Sequence, residues 1–424
     1  MSEKAFSTQP GYKKTEIGII PEDWEVKSLG EICTYIIDGT HKTPKYVKYG
    51  IPFYSVENVT SNDFKNVKYI SEEEHKELIK RCKPEKGDIL LTRIGDIGST
   101  KLIDWDINAS IYVSLAVLKI KEDYCKEYIY AYSKTKQWRK SLEDRSLIHA
   151  TPKKINLGEI AGVEIPLPPL PEQRAIARIL SDFDSLIESL DKLIEKKKNI
   201  KKGAMQELLT GKKRLPGFTG AWVRKRLGEI FDLYSTTSKN KYISRGGKYI
   251  IMDMGAVSKD GRIIPTKRTF IDKDLLKEND LVMPKDDIGE GLIIGKVAII
   301  PESGKFVLGD HVYRLRMKNN NYHPKFFYYL INSSHINSQL KRKVTGSAQK
   351  GLSQKSVIEQ EVYFPPTLEE QRAIAQILSD MDAEIEALEK KKKKYEMMKK
   401  AAMELLLTGK VRVKEKNGRI EVIK

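Results

Sequence analysis

Leu170–Asp184 reads LPEQRAIARILSDFD, and Leu368–Asp382 reads LEEQRAIAQILSDMD. The two strings are offset by 198 residues, and LLTGK at Leu208 recurs at the same offset at Leu406. Without gaps, Pro168–Lys212 matches Pro366–Lys410 at 27 of 45 positions. The same offset aligns Trp24 with Trp222, and LGEI at Leu29 with LGEI at Leu227. The unit is therefore a long variable block followed by a well-matched one, used twice. Solenoid repeats run about 20 to 50 residues, so a unit this long predicts two similar modules and a pseudo-twofold internal repeat instead.

The matched blocks predict long helices. Ile176, Leu180, Phe183, Ile187, Leu190 and Ile194 alternate spacings of four and three, and Ile374, Leu378, Met381, Ile385 and Leu388 do the same. That is the a/d seam of a coiled coil. Pro171 suits a first helical turn, Thr367 with Glu370 reads as a capping box, and Gly211 and Gly409 are natural stops. Each helix should run about 40 residues, or roughly 60 Å. Pro171–Asp191 is net −3 and Lys192–Lys213 net +6, while Thr367–Glu389 is net −6 and Lys390–Lys410 net +6. Parallel packing would set acid beside acid, so the charges predict an antiparallel coiled coil. The lysine runs Lys196–Lys198 and Lys390–Lys394 suit either a solvated helix face or a phosphate track.

The variable blocks read as mixed α/β (α+β). IPFYSV at Ile51, DILLTRI at Asp88, YVSLAVLKI at Tyr112, LIIGKVAII at Leu292 and HVYRLRM at His311 are the candidate strands. Lys126–Leu142 and Pro324–Lys343 are candidate helices. The expected division is a first module at 1–170, a helical spacer at 171–213, a second module at 214–366, a second spacer at 367–410 and a tail at 411–424. The tail should return near the start of the first module.

Among the 424 residues, Lys plus Arg exceeds Asp plus Glu by 76 to 58, a net charge of +18. Such an excess points to a polyanionic partner, nucleic acid before membrane. Most of it sits in residues 214–366, which carry +11, against +1 for residues 1–170. Cys33, Cys82 and Cys125 lie far apart, which excludes a disulfide scaffold and speaks against a cysteine zinc site. The apolar runs are shorter than a membrane span, and MSEKAFSTQP lacks a signal-peptide core, so a cytoplasmic protein is expected.

Catalytic motifs are missing. GLIIGKV at Gly291 is one residue short of a P-loop, and GEGLIIG at Gly289 misses the dinucleotide spacing. Neither an NPP[YF] or DPP[YF] tetrapeptide nor a legible nuclease site is found, and the six histidines show no metal-ligand spacing. No metal site is expected. Basic, hydroxyl-rich segments with aromatics do recur in both modules. In the first they supply Thr40, His41, Lys42, Thr43, Lys45 and Tyr46, then Arg145, Lys153 and Lys154. In the second they supply Ser238, Lys239, Asn240, Lys241, Tyr242, Arg245 and Lys248, then Lys343, Ser347, Gln349 and Lys350. Lys and Arg neutralise phosphates, and Arg, Asn, Gln, Ser and Thr can read base edges. Any one segment alone could be an ordinary loop; Trp24 and Trp222 read as core anchors.

PLPPLPEQRAIARILSDFD at Pro166 and its second copy resemble the two shared regions of specificity (S) subunits of type I restriction-modification systems. KKTEIGIIPEDWEVKSLGEI at Lys13, DGTHKTPKY at Asp38 and LLTGKVRV at Leu406 resemble the same family. The resemblance implies a non-catalytic subunit whose two target recognition domains each read one half of a bipartite double-stranded DNA sequence. It implies two modification (M) subunits carrying S-adenosylmethionine, and restriction (R) subunits using ATP and Mg²⁺, with no cofactor in this chain. Carried over to the helix starts, it implicates Glu172, Gln173, Arg174, Glu370, Gln371 and Arg372 in partner binding. A type IIB-like recognition subunit and a coiled-coil scaffold that binds only proteins are the alternatives. LIHATPKKINLGEI at Leu147 departs from the stretch that the second copy keeps as GSAQKGLS at Gly346, so these loops are not expected to match position by position.

Overall fold

The two apolar seams become two helices of 39 residues each, Leu170–Leu208 and Leu368–Leu406. The structure is a computed structural model that describes residues 10–147, 149–287, 291–345 and 350–423. It divides into two units, Met1–Ser189 with Lys391–Lys424, and Leu190–Lys390. Each unit therefore holds one half of each long helix.

In the first unit, Ile176 and Leu180 share a core with Leu406 and Leu407, and Lys399 Nζ donates to Asp184 Oδ1 at 2.5 Å. In the second, Ile374 and Leu378 share a core with Leu208 and Leu209. There Lys201 reaches Asp382 at 2.6 Å, Lys197 reaches Glu384 at 2.6 Å and Lys198 reaches Glu389 at 2.7 Å. Numbers rise along one helix as they fall along the other, so the pairing is antiparallel in each unit, acidic half against basic half. Lys399–Asp184 and Lys201–Asp382 are one pair seen in both repeats. Each such surface pair contributes little, but together they occupy lysines that would otherwise be free for phosphate. Lys390 is likewise paired within its helix, with Glu386 at 2.6 Å.

The repeat continues through the divergent blocks. In the first unit one sheet has the order Cys33–Asp38, Leu115–Ile120, Ile89–Thr92, Thr100–Leu102, all antiparallel. The second unit builds the same sheet from Phe231–Tyr234, Val312–Met317, Leu281–Pro284 and Ala298–Ile299. A smaller sheet orders Ser110–Ile111, Ile51–Tyr54, Lys68–Ile70 and Tyr46–Val47, with Ser110–Ile111 parallel to its neighbour. Its counterpart is Phe306–Leu308, Tyr249–Met252 and Lys267–Thr269, again with one parallel pair. Both LGEI strings form short helices, Leu29–Ile32 and Leu227–Ile230, beside a two-stranded ribbon. Trp24 and Trp222 are buried anchors, and the three cysteines are buried and free.

Four local expectations need correction. Lys126–Leu142 is two helices, Lys126–Tyr132 and Lys136–Asp144, and Pro324–Lys343 is also two, Pro324–Asn332 and Ser334–Arg342. The breaks are hydroxyl N-caps: Thr135 Oγ1 accepts from Trp138 N at 3.2 Å, and Ser333 Oγ from Ile336 N at 3.4 Å. LIIGKVAII forms a strand only at Ala298–Ile299, because Gly295 turns the chain at φ +69. Of the capping box at Thr367, only the bond from Glu370 N at 3.4 Å forms, because the Glu370 carboxylate is used elsewhere. Thr135→Ala should lower stability by about 1 kcal/mol, measured as a reduced denaturant midpoint with an unchanged slope.

Candidate nucleic-acid interface

The first basic segment leaves the strand Cys33–Asp38 at a buried carboxylate. Asp38 accepts from Arg81 Nη2 at 2.5 Å and Arg93 Nη1 at 3.0 Å, and His41 Nε2 lies 3.0 Å away. At Gly39 a Cβ would collide with the Ile111 carbonyl, so the chain can pass only as glycine. Beyond it Thr40 is half-buried, and His41, Lys42, Thr43, Lys45 and Tyr46 are exposed. The Thr40 hydroxyl accepts from Lys42 N at 3.2 Å, Thr43 Oγ1 lies 3.3 Å from Tyr112 OH, and Lys68 Nζ stands 4.9 Å from the centre of the Tyr46 ring.

The second segment is pinned to the first by a residue that motif reading missed. Arg93 donates through Nε to the Ile155 carbonyl at 3.1 Å while its Nη1 holds Asp38. Burial pulls the Arg93 guanidinium below its ordinary value, and Asp38 opposes that shift. The signal was an arginine directly following the apolar run ILLT. Lys154 bridges both Ile94 and Leu147 through its backbone, which leaves its side chain exposed and Lys153 half-exposed. Arg145 is exposed, 3.7 Å from Glu159.

In the second unit the corresponding loop has lost one expected contact. Lys239 is only 5% exposed, and its Nζ donates to Asp274 Oδ2 at 2.9 Å and to the Leu308 carbonyl at 2.8 Å. It closes the loop from inside and does not reach a phosphate. Ser238, Asn240, Lys241, Tyr242, Arg245 and Lys248 are exposed, Asn240–Tyr242 forming a 3-10 turn. Lys343 is exposed, with Nζ 3.5 Å from the Ser356 carbonyl. Ser347 and Gln349 lie outside the described residues, and Lys350 is described only by its backbone, which pairs with Asp287.

A polar chain replaces Arg93 here. Lys267 Nζ donates to Asn240 Oδ1 at 3.4 Å and to Asp253 Oδ2 at 2.8 Å. Asp253 Oδ1 accepts from His311 N at 3.3 Å, and His311 Nδ1 lies 3.0 Å from Asp286 Oδ2. Asp286 pairs with Gly351, at the end of the second basic segment. Burial would raise the Asp253 carboxyl, but Lys267 and two backbone N–H groups outweigh it and hold the group below its ordinary range. Ligand atoms of Asp253, Asp310 and His311 lie within 4.8 Å of one another. The Lys267 ammonium already supplies the positive charge that a metal would bring.

The two dissimilar loops are structural equivalents. Ile94↔Lys154 and Leu147↔Lys154 in the first unit correspond to Asp286↔Gly351 and Thr345↔Gly351 in the second. The anchors persist while the residues between them change.

The helix starts require the largest correction. Glu172 is buried and accepts from Arg412 Nη2 at 2.7 Å, Arg412 Nε at 2.8 Å, Val413 N at 3.1 Å and Trp24 Nε1 at 3.2 Å. Arg412 also pairs with Asp23 at 2.7 Å, so the tail does return to the start of the first module. The hydrogen bond to Glu172 raises the Arg412 guanidinium above its ordinary value against the effect of burial. Glu370, equally buried, takes Arg214 through Nε at 2.7 Å and Nη2 at 2.8 Å. Gln173 accepts from Cys125 N at 2.9 Å and donates to the Pro168 carbonyl at 2.8 Å; Gln371 accepts from His323 N at 2.9 Å and donates to the Pro365 carbonyl at 3.0 Å. These four side chains face inward, with their polar groups taken up by hydrogen bonds within their own unit. Arg174 and Arg372 alone of the six face solvent.

The profile of the type I restriction modification DNA specificity domain matches residues 21–199 and again residues 220–396. The chain belongs to that family. The MjaVIII type I restriction enzyme specificity subunit of Methanocaldococcus jannaschii is 30% identical over 441 residues, covering 97% of this chain and 98% of that one. A type I restriction-modification S subunit from M. genitalium has the same fold, with a TM-score of 0.60 at 18% identity over 90% of this chain and 96% of its own. A chain from a structure titled for complex assembly and conformational transition of the type I R-M system gives 0.53 at 16% identity, covering 92% and 99%. The specificity chain is thus a non-catalytic DNA-recognition subunit with a duplicated recognition domain. Among its described residues, no helix is long and apolar enough to cross a membrane.

Replacing Lys241, Arg245 and Lys248 together by alanine should weaken DNA binding and reduce the salt slope by roughly 2.7, at about 0.9 per phosphate contact. A slope equal to that of the unaltered chain would remove this loop from the phosphate footprint.

Proposed function

We propose that this specificity subunit selects a bipartite double-stranded DNA target for a type I restriction-modification complex, residues 1–170 reading one half and residues 214–366 the other. The spacers 171–213 and 367–410 set the unread gap and dock two M subunits, with the exposed Arg174 and Arg372 as the partner contacts. S-adenosylmethionine belongs to the M subunits, and ATP with Mg²⁺ to the R subunits. The complex works in the cytoplasm. One observation carries this reading: both units keep the strand order of the larger four-stranded sheet while their exposed basic loops share almost no sequence. Divergent loops on a retained frame suit two different half-sites.

The test is methyl transfer from labelled S-adenosylmethionine to DNA. The isolated chain should transfer none, and adding its M subunit should give adenine methylation at a two-part sequence. Transfer by the isolated chain, or methylation at a single contiguous site, would contradict the proposal.

A further inference from the structure

Phe270 follows directly on the strand Lys267–Thr269 and is 66% exposed. Thr269 pairs with Ile243 across the edge of the smaller sheet, so Tyr242, 54% exposed, and Ile243 stand beside it. The turn before the next strand passes close by, with the Phe270 Cζ 3.9 Å from the space where Gly246 lacks a Cβ. Cations frame this apolar patch: Arg245 and Lys248 are exposed on the turn, and Arg268 Nη1 donates to the Gly247 carbonyl at 3.3 Å.

The first unit repeats the arrangement with different residues. Tyr46 and Val47 pair with Ile70 and Tyr69 on the equivalent edge, and Tyr49 just beyond is 78% exposed. Lys68 Nζ lies 4.9 Å from the Tyr46 ring centre, and Lys48 Nζ 5.4 Å from that of Tyr49. Exposed rings inside a cationic frame, on different segments beside the same edge of the smaller sheet in two divergent modules, suit a partner that is anionic outside and apolar within. Stacked base pairs meet both conditions. A phenylalanine has no polar atom with which to hydrogen-bond a base edge, so it acts through its apolar ring, by packing on a thymine methyl or by stacking and wedging, and the breadth of the exposed ring favours the wedge.

We infer that Phe270 in the second unit and Tyr49 in the first are ring wedges lying against or between base pairs of their half-sites. Part of each unit's choice of sequence is then set by how easily a step unstacks, which favours flexible pyrimidine–purine steps. This rests on the DNA-reading function above and names how that site discriminates.

The test uses the full chain with its M subunit and duplexes carrying the methylated target, with 2-aminopurine placed successively through each half-site. Binding should brighten one position per half-site. Phe270→Ala should abolish the signal in the second half-site only and weaken binding roughly tenfold, with an unchanged salt slope. Phe270→Trp should retain both, and a mismatch at the bright step should rescue Phe270→Ala. A dark duplex with the unaltered chain, or wild-type binding by Phe270→Ala, would overturn the wedge while leaving DNA recognition standing. An unaltered complex that binds target and scrambled duplexes alike would overturn DNA recognition, and the wedge with it.

Discussion

A buried carboxylate at the start of each long helix has to be neutralised, and the rest of the structure follows from how this is done. Glu172 is met by Arg412, and Glu370 by Arg214. Each carboxylate lies at the start of one long helix, and each arginine just beyond the end of the other. An unpaired buried charge costs several kcal/mol, so each unit is complete only when the end of one helix has come back beside the start of the other. Antiparallel pairing is thereby required locally. The charge-polarised helix halves agree with the direction that the two clasps impose.

With the frame fixed from inside, the outer loops are free to vary. The inward glutamines tie each helix start to backbone groups of its own unit, and Asp38 with Arg93, or the chain from Lys267 to Asp286, ties the two basic segments together. These anchors hold the ends of the loops and leave the side chains between them unconstrained. The +18 charge therefore does not coat the molecule. Much of the helical lysine charge is consumed in ion pairs, and exposed cations also stand on the loops and beside the exposed rings.

Much of this was legible in the sequence because it rests on periodicity and duplication. The 198-residue offset exposed the repeat, the four-three spacing exposed the helices, and the apolar runs IPFYSV, DILLTRI, YVSLAVLKI and HVYRLRM each contain a strand, IPFY, ILLT, LAVLKI and VYRLRM. What escaped depends on the tertiary fold. Lys239 and Lys241 look alike along the chain, and only the approach of Asp274 makes one internal. Glu172 and Gln173 read as surface-polar residues until Trp24, Cys125 and Arg412 close over them. The clasp itself left a trace, since Arg214 and Arg412 stand at the repeat offset after matching LLTGK strings. The helix breaks at Thr135 and Ser333 were missed because a capping hydroxyl competes quietly with an unbroken apolar pattern.

A double-mutant cycle on the clasp tests the central claim most directly. Glu172→Gln is combined separately with Arg412→Met and with Arg214→Met, and unfolding free energies are measured in denaturant. Glu172 should couple to Arg412 by about 2 kcal/mol or more, and be additive with Arg214 within about 0.5 kcal/mol. Coupling of Glu172 to Arg214, or none to Arg412, would contradict the exchange of helix ends on which the whole arrangement rests.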